Sequence, residues 1–421
     1  MNVYLDSLGC RLNQSEVETM ACQFAAAGHI VAGDPSQADV CIINTCAVTA
    51  SAERKSRRRV QALSQANPQA HIAAVGCYAT LNPAQCAALP GVVWVIPNAE
   101  KEQTTKIVTP PPLRSPAPPP LHSPAPPLSR TRAFIKVQDG CDNHCTYCVT
   151  RLLRGPSRSR PVSDVVAQVQ ALVETGCQEA VLTGANLCSY GRDLGLPDGL
   201  RALIVALLAR TDLPRLRLSS LEPWGLDESF FDLWENARLC RQLHLPLQSG
   251  CDETLRRMGR RTTTTEFARL VGTARAAIPG LAVTSDLIVG FPGEDEDAFR
   301  ASYDFAVAIE FARLHVFSYS RRPGTAAARL PGRVDRAERQ ARARVMRELS
   351  AEQALRFRQR FVGREMTVLW EHRRPDGLWP GLTGNYLRVV TRAEDYLHNR
   401  LTNTRLLALQ NGHLVGEVME A

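Results

Sequence analysis

The sequence predicts an α/β protein in three parts, and three patterns point to it. First, strands Val3–Ser7, Val40–Thr45, Ile72–Gly76 and Val92–Ile96 are interspersed with helices Gln14–Ala27 and Thr49–Gln65. Apolar strands alternating with amphipathic helices make βαβ units, so a small Rossmann-like parallel sheet is expected here. Second, strands Phe134–Val137, Glu179–Thr183, Arg215–Ser219, Gln242–Pro246, Ala282–Val289 and Arg313–Tyr319 alternate with helical stretches such as Val162–Glu174, Gly199–Arg210, Thr264–Ala277 and Glu296–Ile309. Six β/α repeats predict a complete or partial (β/α)6 TIM-type barrel, with its chemistry at the C-terminal ends of the strands. Third, the alternation stops after about Ser320. A long basic helix over Val334–Arg360 is followed by short β-like runs at Met366–Trp370, Asn385–Val390, Leu401–Ala408 and His413–Val418. These suit a small antiparallel, OB-like β-barrel.

Residues 107–130 separate the first part from the second. Leu113–Pro119 (LRSPAPP) nearly recurs at Leu121–Pro127 (LHSPAPP). So many prolines cannot build a core, and an extended polyproline spacer is expected. The domain boundaries that follow are 1–106, a linker at 107–130, 131–360 and 361–421.

Composition narrows the class. Hydrophobic residues make up 44% and charged residues 22%, the balance of a soluble globular protein. The longest uninterrupted apolar run, Ala202–Ala209, is far too short to span a bilayer. The start, MNVYLDSLGC, lacks the basic and apolar regions of a signal peptide. A cytoplasmic protein without membrane contact is expected. The net charge of +8, almost all from arginine, suits a phosphate-rich partner.

Thirteen cysteines in a reducing compartment favour metal or redox roles over disulfides. Cys141, Cys145 and Cys148 form CxxxCxxC directly after the first strand of the expected barrel. Three thiolates on one loop can hold three irons of a [4Fe–4S] cluster and leave the fourth open. The alternative is a zinc knot, which needs a fourth ligand. His144, beside Cys145, is poorly placed to supply it. Cys10, Cys46 and Cys77 each follow a strand of the first part. Adjacent parallel strands place their C-terminal ends side by side, so these three should converge. Cys22, Cys41, Cys86, Cys177, Cys188, Cys240 and Cys251 follow no such pattern and read as small buried hydrophobes.

These residues carry a family resemblance. SLGCRLN at Ser7–Asn13, NTCAVT at Asn44–Thr49 and GCYA at Gly76–Ala79 resemble the three cysteine motifs of the methylthiotransferase N-terminal domain. CxxxCxxC at Cys141–Cys148 resembles the radical S-adenosylmethionine (SAM) motif, and Gly363–Val418 is similar to the RNA-binding TRAM barrel. The stretches KVQDGCDNHCTYC (Lys136–Cys148), RGPSRSR (Arg154–Arg160), LTGANLCSYG (Leu182–Gly191), RLSSLEP (Arg217–Pro223), HLPLQSG (His244–Gly250) and HVFSYSRRPGT (His315–Thr325) resemble the bacterial threonylcarbamoyladenosine tRNA methylthiotransferase branch. One departure stands at Val149–Leu153, where relatives carry an Ile–Pro–Tyr-like turn.

The resemblance implies two [4Fe–4S] clusters, one on Cys141, Cys145 and Cys148 and an auxiliary one on Cys10, Cys46 and Cys77. It implies SAM as cofactor, the anticodon stem-loop of tRNA as substrate rather than DNA, and an electron donor such as flavodoxin or ferredoxin. SAM cleaved at the first cluster would yield a 5′-deoxyadenosyl radical able to take hydrogen from C2 of adenine, and the second cluster would carry the sulfur. No catalytic side chain beyond the cluster ligands is implied.

Five further residues are candidate SAM contacts. Tyr147 lies inside the loop; Glu222 and Gln248 follow strand ends; Gly290 and Glu294 belong to a glycine-containing strand-to-helix turn. Each has an ordinary structural reading as packing, cap or turn. Arg54, Arg57, Arg58 and Arg59 on one helix, and Arg339, Arg342, Arg344, Arg347 and Arg356 on another, could meet phosphates or form solvated faces. Trp370, Trp379 and Tyr386 could stack on bases or fill a core. Isopentenyladenosine in tRNA and a ribosomal-protein aspartate are the alternative substrates, and a non-catalytic iron–sulfur tRNA-binding protein is the alternative class.

Overall fold

A computed structural model describes residues 1–109 and 131–419. The Pro-rich spacer expected at 107–130 therefore lies, from residue 110 on, outside the described residues. The described chain divides into two compact units. One comprises residues 1–109, 134–158 and 320–328; the other comprises 131–133, 159–319 and 329–419.

The first unit is built on a five-stranded parallel sheet. Its elements run β1 (Asn2–Ser7), α1 (Arg11–Ala26), β2 (Ile30–Ala32), β3 (Val40–Thr45), α2 (Ala50–Ala66), β4 (His71–Gly76), α3 (Cys77–Leu81), α4 (Pro83–Ala87), β5 (Val92–Ile96) and α5 (Thr104–Val108). The strand order is β2-β1-β3-β4-β5. β3 is buried along its whole length because helices cover both faces of the sheet. α2 starts at Thr49, whose hydroxyl accepts from the Ala52 N–H (3.0 Å). β2 was not expected from the sequence: it is three residues long, at the sheet edge, with Ile30 exposed, so it has no buried-strand pattern to read.

Four elements follow near the division. β6 (Arg132–Lys136) begins in the second unit and ends in the first. β7 (Gln138–Asp139) and α6 (Thr150–Arg154) belong to the first unit, and β8 (Arg158–Ser159) leads into the second.

The second unit continues with α7 (Val162–Glu174), β9 (Glu179–Thr183), α8 (Gly199–Arg210), β10 (Arg215–Leu218), β11 (Gln242–His244), α9 (Asp252–Arg257), α10 (Thr264–Ala277), β12 (Ala282–Val289), α11 (Glu296–Ile309), β13 (Arg313–Ser318) and α12 (Arg336–Gln359). β9 and β10 pair in parallel, as do β11, β12 and β13. Isolated parallel bridges at Leu216–Leu239 and Ser220–His244 link β10 to the chain entering and leaving β11. All five strands thus point their C-terminal ends the same way. α10 opens with a capping box in which Thr263 and Glu266 satisfy each other's backbone N–H groups.

The unit ends in a closed barrel of β14 (Glu365–Trp370), β15 (Trp379–Thr383), β16 (Arg388–Thr391), β17 (Leu401–Gln410) and β18 (His413–Val418). Four pairings are antiparallel, and β16–β18, which helps close the barrel, is parallel. Trp370 and Trp379 sit in its core with Val368, Leu387, Val389, Leu406 and Leu414. Neither is available to stack on a base, and only Tyr386 of the three aromatic candidates lies outside that core. β15 escaped the sequence reading because Pro380 and Gly381 argue against a strand. The glycine is there for space: a Cβ on it would stand 2.5 Å from Val368 Cγ1. The strand expected at Asn385–Val390 starts only at Arg388. Tyr386, at φ +68°, makes the turn before it.

Glu179 of β9 is fully buried and paired with Arg217 (2.7 Å) and Arg215 (2.8 Å). Arg217 also donates to the carbonyls of Thr383 (3.2 Å) and Gly384 (3.0 Å), at the start of the β15–β16 turn. Burial pushes the Glu179 carboxyl up, but the two guanidiniums outweigh it and hold it at about 2, below its ordinary value of 4.5. A carboxyl with a depressed folded-state value contributes stability above its unfolded value and loses it as pH falls through the folded one. Glu179→Gln should therefore cost about 3–5 kcal/mol near neutral pH. It should also flatten the acid-induced loss of stability between pH 4.5 and about 2, read by thermal melts across that range.

Candidate functional site

The first unit holds both cysteine trios. β1, β3 and β4 are neighbours, with Ser7 opposite Asn44 and Thr45 opposite Gly76. Cys46 and Cys77 each follow the last residue of their strand, and Cys10 is the N-cap residue of α1. Side chains tie the three exits together. The Thr45 hydroxyl donates to the Val75 carbonyl (2.6 Å) and accepts from the Tyr78 N–H (3.2 Å). The Asn13 amide donates to the carbonyls of Leu8 (2.7 Å) and Thr45 (3.1 Å). Cys46 and Cys77 are buried, while Cys10 is exposed, so the trio opens outward at Cys10.

Glycine precedes Cys10, Cys77 and Cys141, and each glycine is left-handed: φ is +105° at Gly9, +93° at Gly76 and +73° at Gly140. A Cβ on Gly9 would stand 2.9 Å from the Cys46 sulfur, filling the space between two of the thiols. A Cβ on Gly140 would stand 1.8 Å from the Pro156 carbonyl oxygen. The Gly-Cys dipeptide is a partial sequence signal for these turns, since it also occurs at Gly176–Cys177 and Gly250–Cys251 in the second unit.

The second trio lies on the loop between β7 and α6. The Cys141 N–H donates to the Gly155 carbonyl (3.0 Å), closing the loop's base, and the Cys148 N–H donates to the Cys145 carbonyl (3.1 Å). The Thr150 N–H donates to the Cys148 sulfur (3.4 Å). The Ala327 N–H donates to the Thr146 carbonyl (2.8 Å), so the 320–328 segment braces the loop. Cys141, Cys145, Tyr147 and Cys148 are half-buried. His144 is exposed and lies 2.7 Å from the Arg151 guanidinium.

Beneath the first trio lies a group of buried charges that the sequence reading missed. Glu16 (α1), Lys101, Asp139 (β7) and Arg154 (α6) are all nearly inaccessible. Arg154 donates to Glu16 (2.9 Å), Asp139 (2.8 Å) and the Asn13 side-chain oxygen (2.6 Å). Lys101 donates to Asp139 (2.8 Å) and also to Glu16. Burial by itself would raise both carboxyls. Arg154, Lys101 and Lys136 more than reverse it, so Glu16 and Asp139 lie below the usual carboxylate range. Two amides connect this network to the sulfurs. The Cys10 thiol donates to Asn13 Oδ1 (3.5 Å). Asn98 Nδ2 donates to the Cys77 sulfur (3.5 Å) and to the Leu153 carbonyl (3.0 Å). Burial pushes the Cys46 thiol up to about 12, so its proton is given up on metal binding rather than in the free protein.

Among the described residues, no three His, Cys, Asp or Glu side chains close on one point as a single-ion site requires. A cubane cluster asks for something different, thiolates spread over separate irons. Two sets of three cysteines, one with a cradle at Gly9 and a donor at Asn98, have the chemistry for that group.

The remaining candidates lie in the second unit, apart from Tyr147. Gln248, four residues past β11, is buried and left-handed at φ +81°; its N–H donates to the Asp286 carbonyl (2.8 Å) and its carbonyl accepts from Ile288 (2.9 Å). That conformation costs about 1–3 kcal/mol in a residue with a side chain, and such strain gathers at functional sites. Glu222 follows β10 and pairs with Arg260 (2.9 Å), whose guanidinium lies over the Trp224 ring. Glu294 accepts from the Gly290 N–H (2.7 Å) and from Arg342 (2.9 Å), and the Arg339 side chain packs where a Gly290 Cβ would be. Those contacts close the turn after β12. Arg342 is thereby spent on Glu294, whereas Arg344, Arg347 and Arg356 remain exposed on α12.

Parallel β/α repeats with a CxxxCxxC loop define an α/β enzyme of the radical SAM class. Residues 135–306 match the Radical SAM superfamily, and residues 2–96 match the family described as uncharacterized protein family UPF0004. The chain is 35% identical to the threonylcarbamoyladenosine tRNA methylthiotransferase of Thermotoga maritima, over 92% of this chain and 90% of that protein. It is 33% identical to the enzyme of the same description from Bacillus subtilis, over 96% and 93%. A tRNA-2-methylthio-N(6)-dimethylallyladenosine synthase of Thermodesulfovibrio yellowstonii is 31% identical over 99% and 98%. Among solved structures, the radical S-adenosylmethionine methyltransferase TsrM of Kitasatospora setae shares the fold, with a TM-score of 0.56 at 16% identity, covering 77% of this chain and 74% of that one. The chain belongs to the radical SAM methylthiotransferase family. It is a transferase, and membership implies SAM and a [4Fe–4S] cluster as cofactors. No helix among the described residues is long and apolar enough to cross a membrane.

Gly140→Ala should combine left-handed strain of about 1–3 kcal/mol with a backbone clash at Pro156. The expected outcome is purified protein with less bound iron and a lower melting temperature, checked by iron assay and calorimetry against the unaltered chain.

Proposed function

We propose that the protein inserts a methylthio group at C2 of N6-threonylcarbamoyladenosine, the hypermodified adenosine 3′ of the tRNA anticodon, giving ms2t6A. The observation that carries this reading is the pair of cysteine trios in one compact unit, alongside full-length similarity to enzymes of that description. Cys141, Cys145 and Cys148 would hold the cluster that binds SAM. Cys10, Cys46 and Cys77 would hold a second [4Fe–4S] cluster carrying the sulfur. Bound there, the clusters and SAM supply radical chemistry at an unactivated C–H bond, which no side chain offers.

The chain's own residues do the rest. Gly9, Gly76 and Gly140 turn the backbone before a cysteine where a Cβ would meet Cys46, Asn44 and Pro156 respectively. Thr45 and Asn13 hold the strand exits in register. Gln248 and Glu222, past the ends of β11 and β10, would contact SAM or the nucleoside. The exposed arginines of α12 and the C-terminal barrel, which we read as a TRAM domain, would take the tRNA backbone, and a flavodoxin or ferredoxin would deliver electrons. Isopentenyladenosine is the second reading, favoured by the similarity to the dimethylallyladenosine synthase over nearly the whole chain.

Nucleosides of tRNA from a bacterial strain lacking its own enzyme, with and without this gene, test the reading by mass spectrometry. A methylthio-threonylcarbamoyladenosine peak should appear and vanish with Cys141→Ala or Cys10→Ala. A methylthio-isopentenyladenosine peak would transfer the activity to the second reading. Reconstituted protein should carry about eight irons, falling to about four when either trio is replaced by alanine.

A further inference from the structure

We propose that the buried Glu16–Lys101–Asp139–Arg154 network, acting through Asn98, sets the redox potential of the cluster held by Cys10, Cys46 and Cys77. Arg154 and Asn98 are its positioning residues. This rests on the two-cluster reading above and adds to it a function for side chains that reading does not use.

A [4Fe–4S] cluster on three thiolates is anionic and gains a further negative charge on reduction. Nearby cations and N–H···S hydrogen bonds stabilise the reduced form more than the oxidised form, and so raise the potential. Arg154 is the cation in place. Its guanidinium interacts electrostatically with Cys10, Cys46 and Cys77 and is one side chain away from Cys10 through Asn13. The hydrogen-bond donor is Asn98 Nδ2, 3.5 Å from the Cys77 sulfur. Its orientation is fixed by Lys101, which donates to the amide oxygen (3.4 Å), and by the Leu153 carbonyl, which accepts from the same nitrogen (3.0 Å). Low accessibility keeps water from screening these interactions.

Two carboxylates face two buried cations, and Lys136 at the rim lies 3.8 Å from each carboxylate while also pairing with Glu102 (2.9 Å). Because the network holds charges of both signs, removing one member shifts the potential in the direction set by that member's sign. The position of Arg154 matters for a second reason. It ends α6, which starts two residues after Cys148, and Val149 and Leu153 pack in the same apolar core as Ala47, Cys77 and Tyr78. The loop of the SAM-binding cluster and the charge beside the other trio are therefore carried on one short rigid piece of chain.

The test uses the full chain with Cys141, Cys145 and Cys148 replaced by alanine, so that only the second cluster is loaded. Midpoint potential by redox titration and the EPR spectrum of the reduced cluster are read at matched iron content. Arg154→Gln and Asn98→Ala should move the potential to more negative values, and Arg154→Lys should restore most of the Arg154 shift. Glu16→Gln, which leaves an excess cation, should move it to more positive values. Opposite signs from two substitutions in one network are not produced by simple loosening of the fold. A loaded cluster whose potential and EPR spectrum stay unchanged in Arg154→Gln, Asn98→Ala and Glu16→Gln overturns this inference alone. Shifts of the same sign in Arg154→Gln and Glu16→Gln overturn it as well. A parent protein that binds no iron overturns it together with the two-cluster reading.

Discussion

The Arg154 guanidinium is buried between the carboxylates of Glu16 and Asp139, with Lys101 bridging the same pair. An ion in a protein interior is tolerated only when its partners are in place, because removing one leaves a desolvated charge worth several kcal/mol. The four residues come from α1, the segment after β5, β7 and α6. Satisfying them therefore fixes how the cysteine loop at 141–148 is held against the sheet that carries Cys10, Cys46 and Cys77. Other apolar contacts of the first unit could relax by small rotamer changes. This arrangement cannot relax without stranding a charge.

The same constraint accounts for the backbone beside it. Where a chain must leave a strand, present a sulfur and enter a helix within a few residues, a side chain before the cysteine has no room. Gly9, Gly76 and Gly140 meet that need with left-handed turns that glycine adopts without penalty. The polar side chains nearby are consumed in holding the turns, as the Thr45 and Asn13 hydrogen bonds show. Few are left over for chemistry, which agrees with a site whose reactivity comes from a bound cluster and SAM.

The second unit follows a similar logic with different partners. Glu179, Arg215 and Arg217 form a buried ion group on β9 and β10, and Arg217 carries it to backbone carbonyls at the turn of the C-terminal barrel. The barrel is locked to the repeats by a charge that needs acceptors as well as by apolar packing. At the strand ends, Gln248 keeps a strained backbone because β12 bonds it on both sides, which places its side chain independently of packing.

Much of this was legible along the chain. Alternating apolar strands and helices gave elements such as Val40–Thr45, Glu179–Thr183 and Ala282–Val289 to the residue, because buried strands and amphipathic helices have periods that local sequence carries. The three strand-end cysteines could be expected to converge because parallel topology alone puts adjacent strand ends together. β15 and the true start of β16 were hidden, since a Pro-Gly pair and a left-handed tyrosine only make sense once the barrel closes around Trp370. The ion network was hidden for a deeper reason. Glu16, Lys101, Asp139 and Arg154 stand inside or near readable motifs, yet in sequence each looks like any surface charge. Local sequence determined where the strands, helices and sulfurs are. Which charges lose their water and must pair, and hence what surrounds the sulfurs, was decided only when distant segments packed together and excluded solvent.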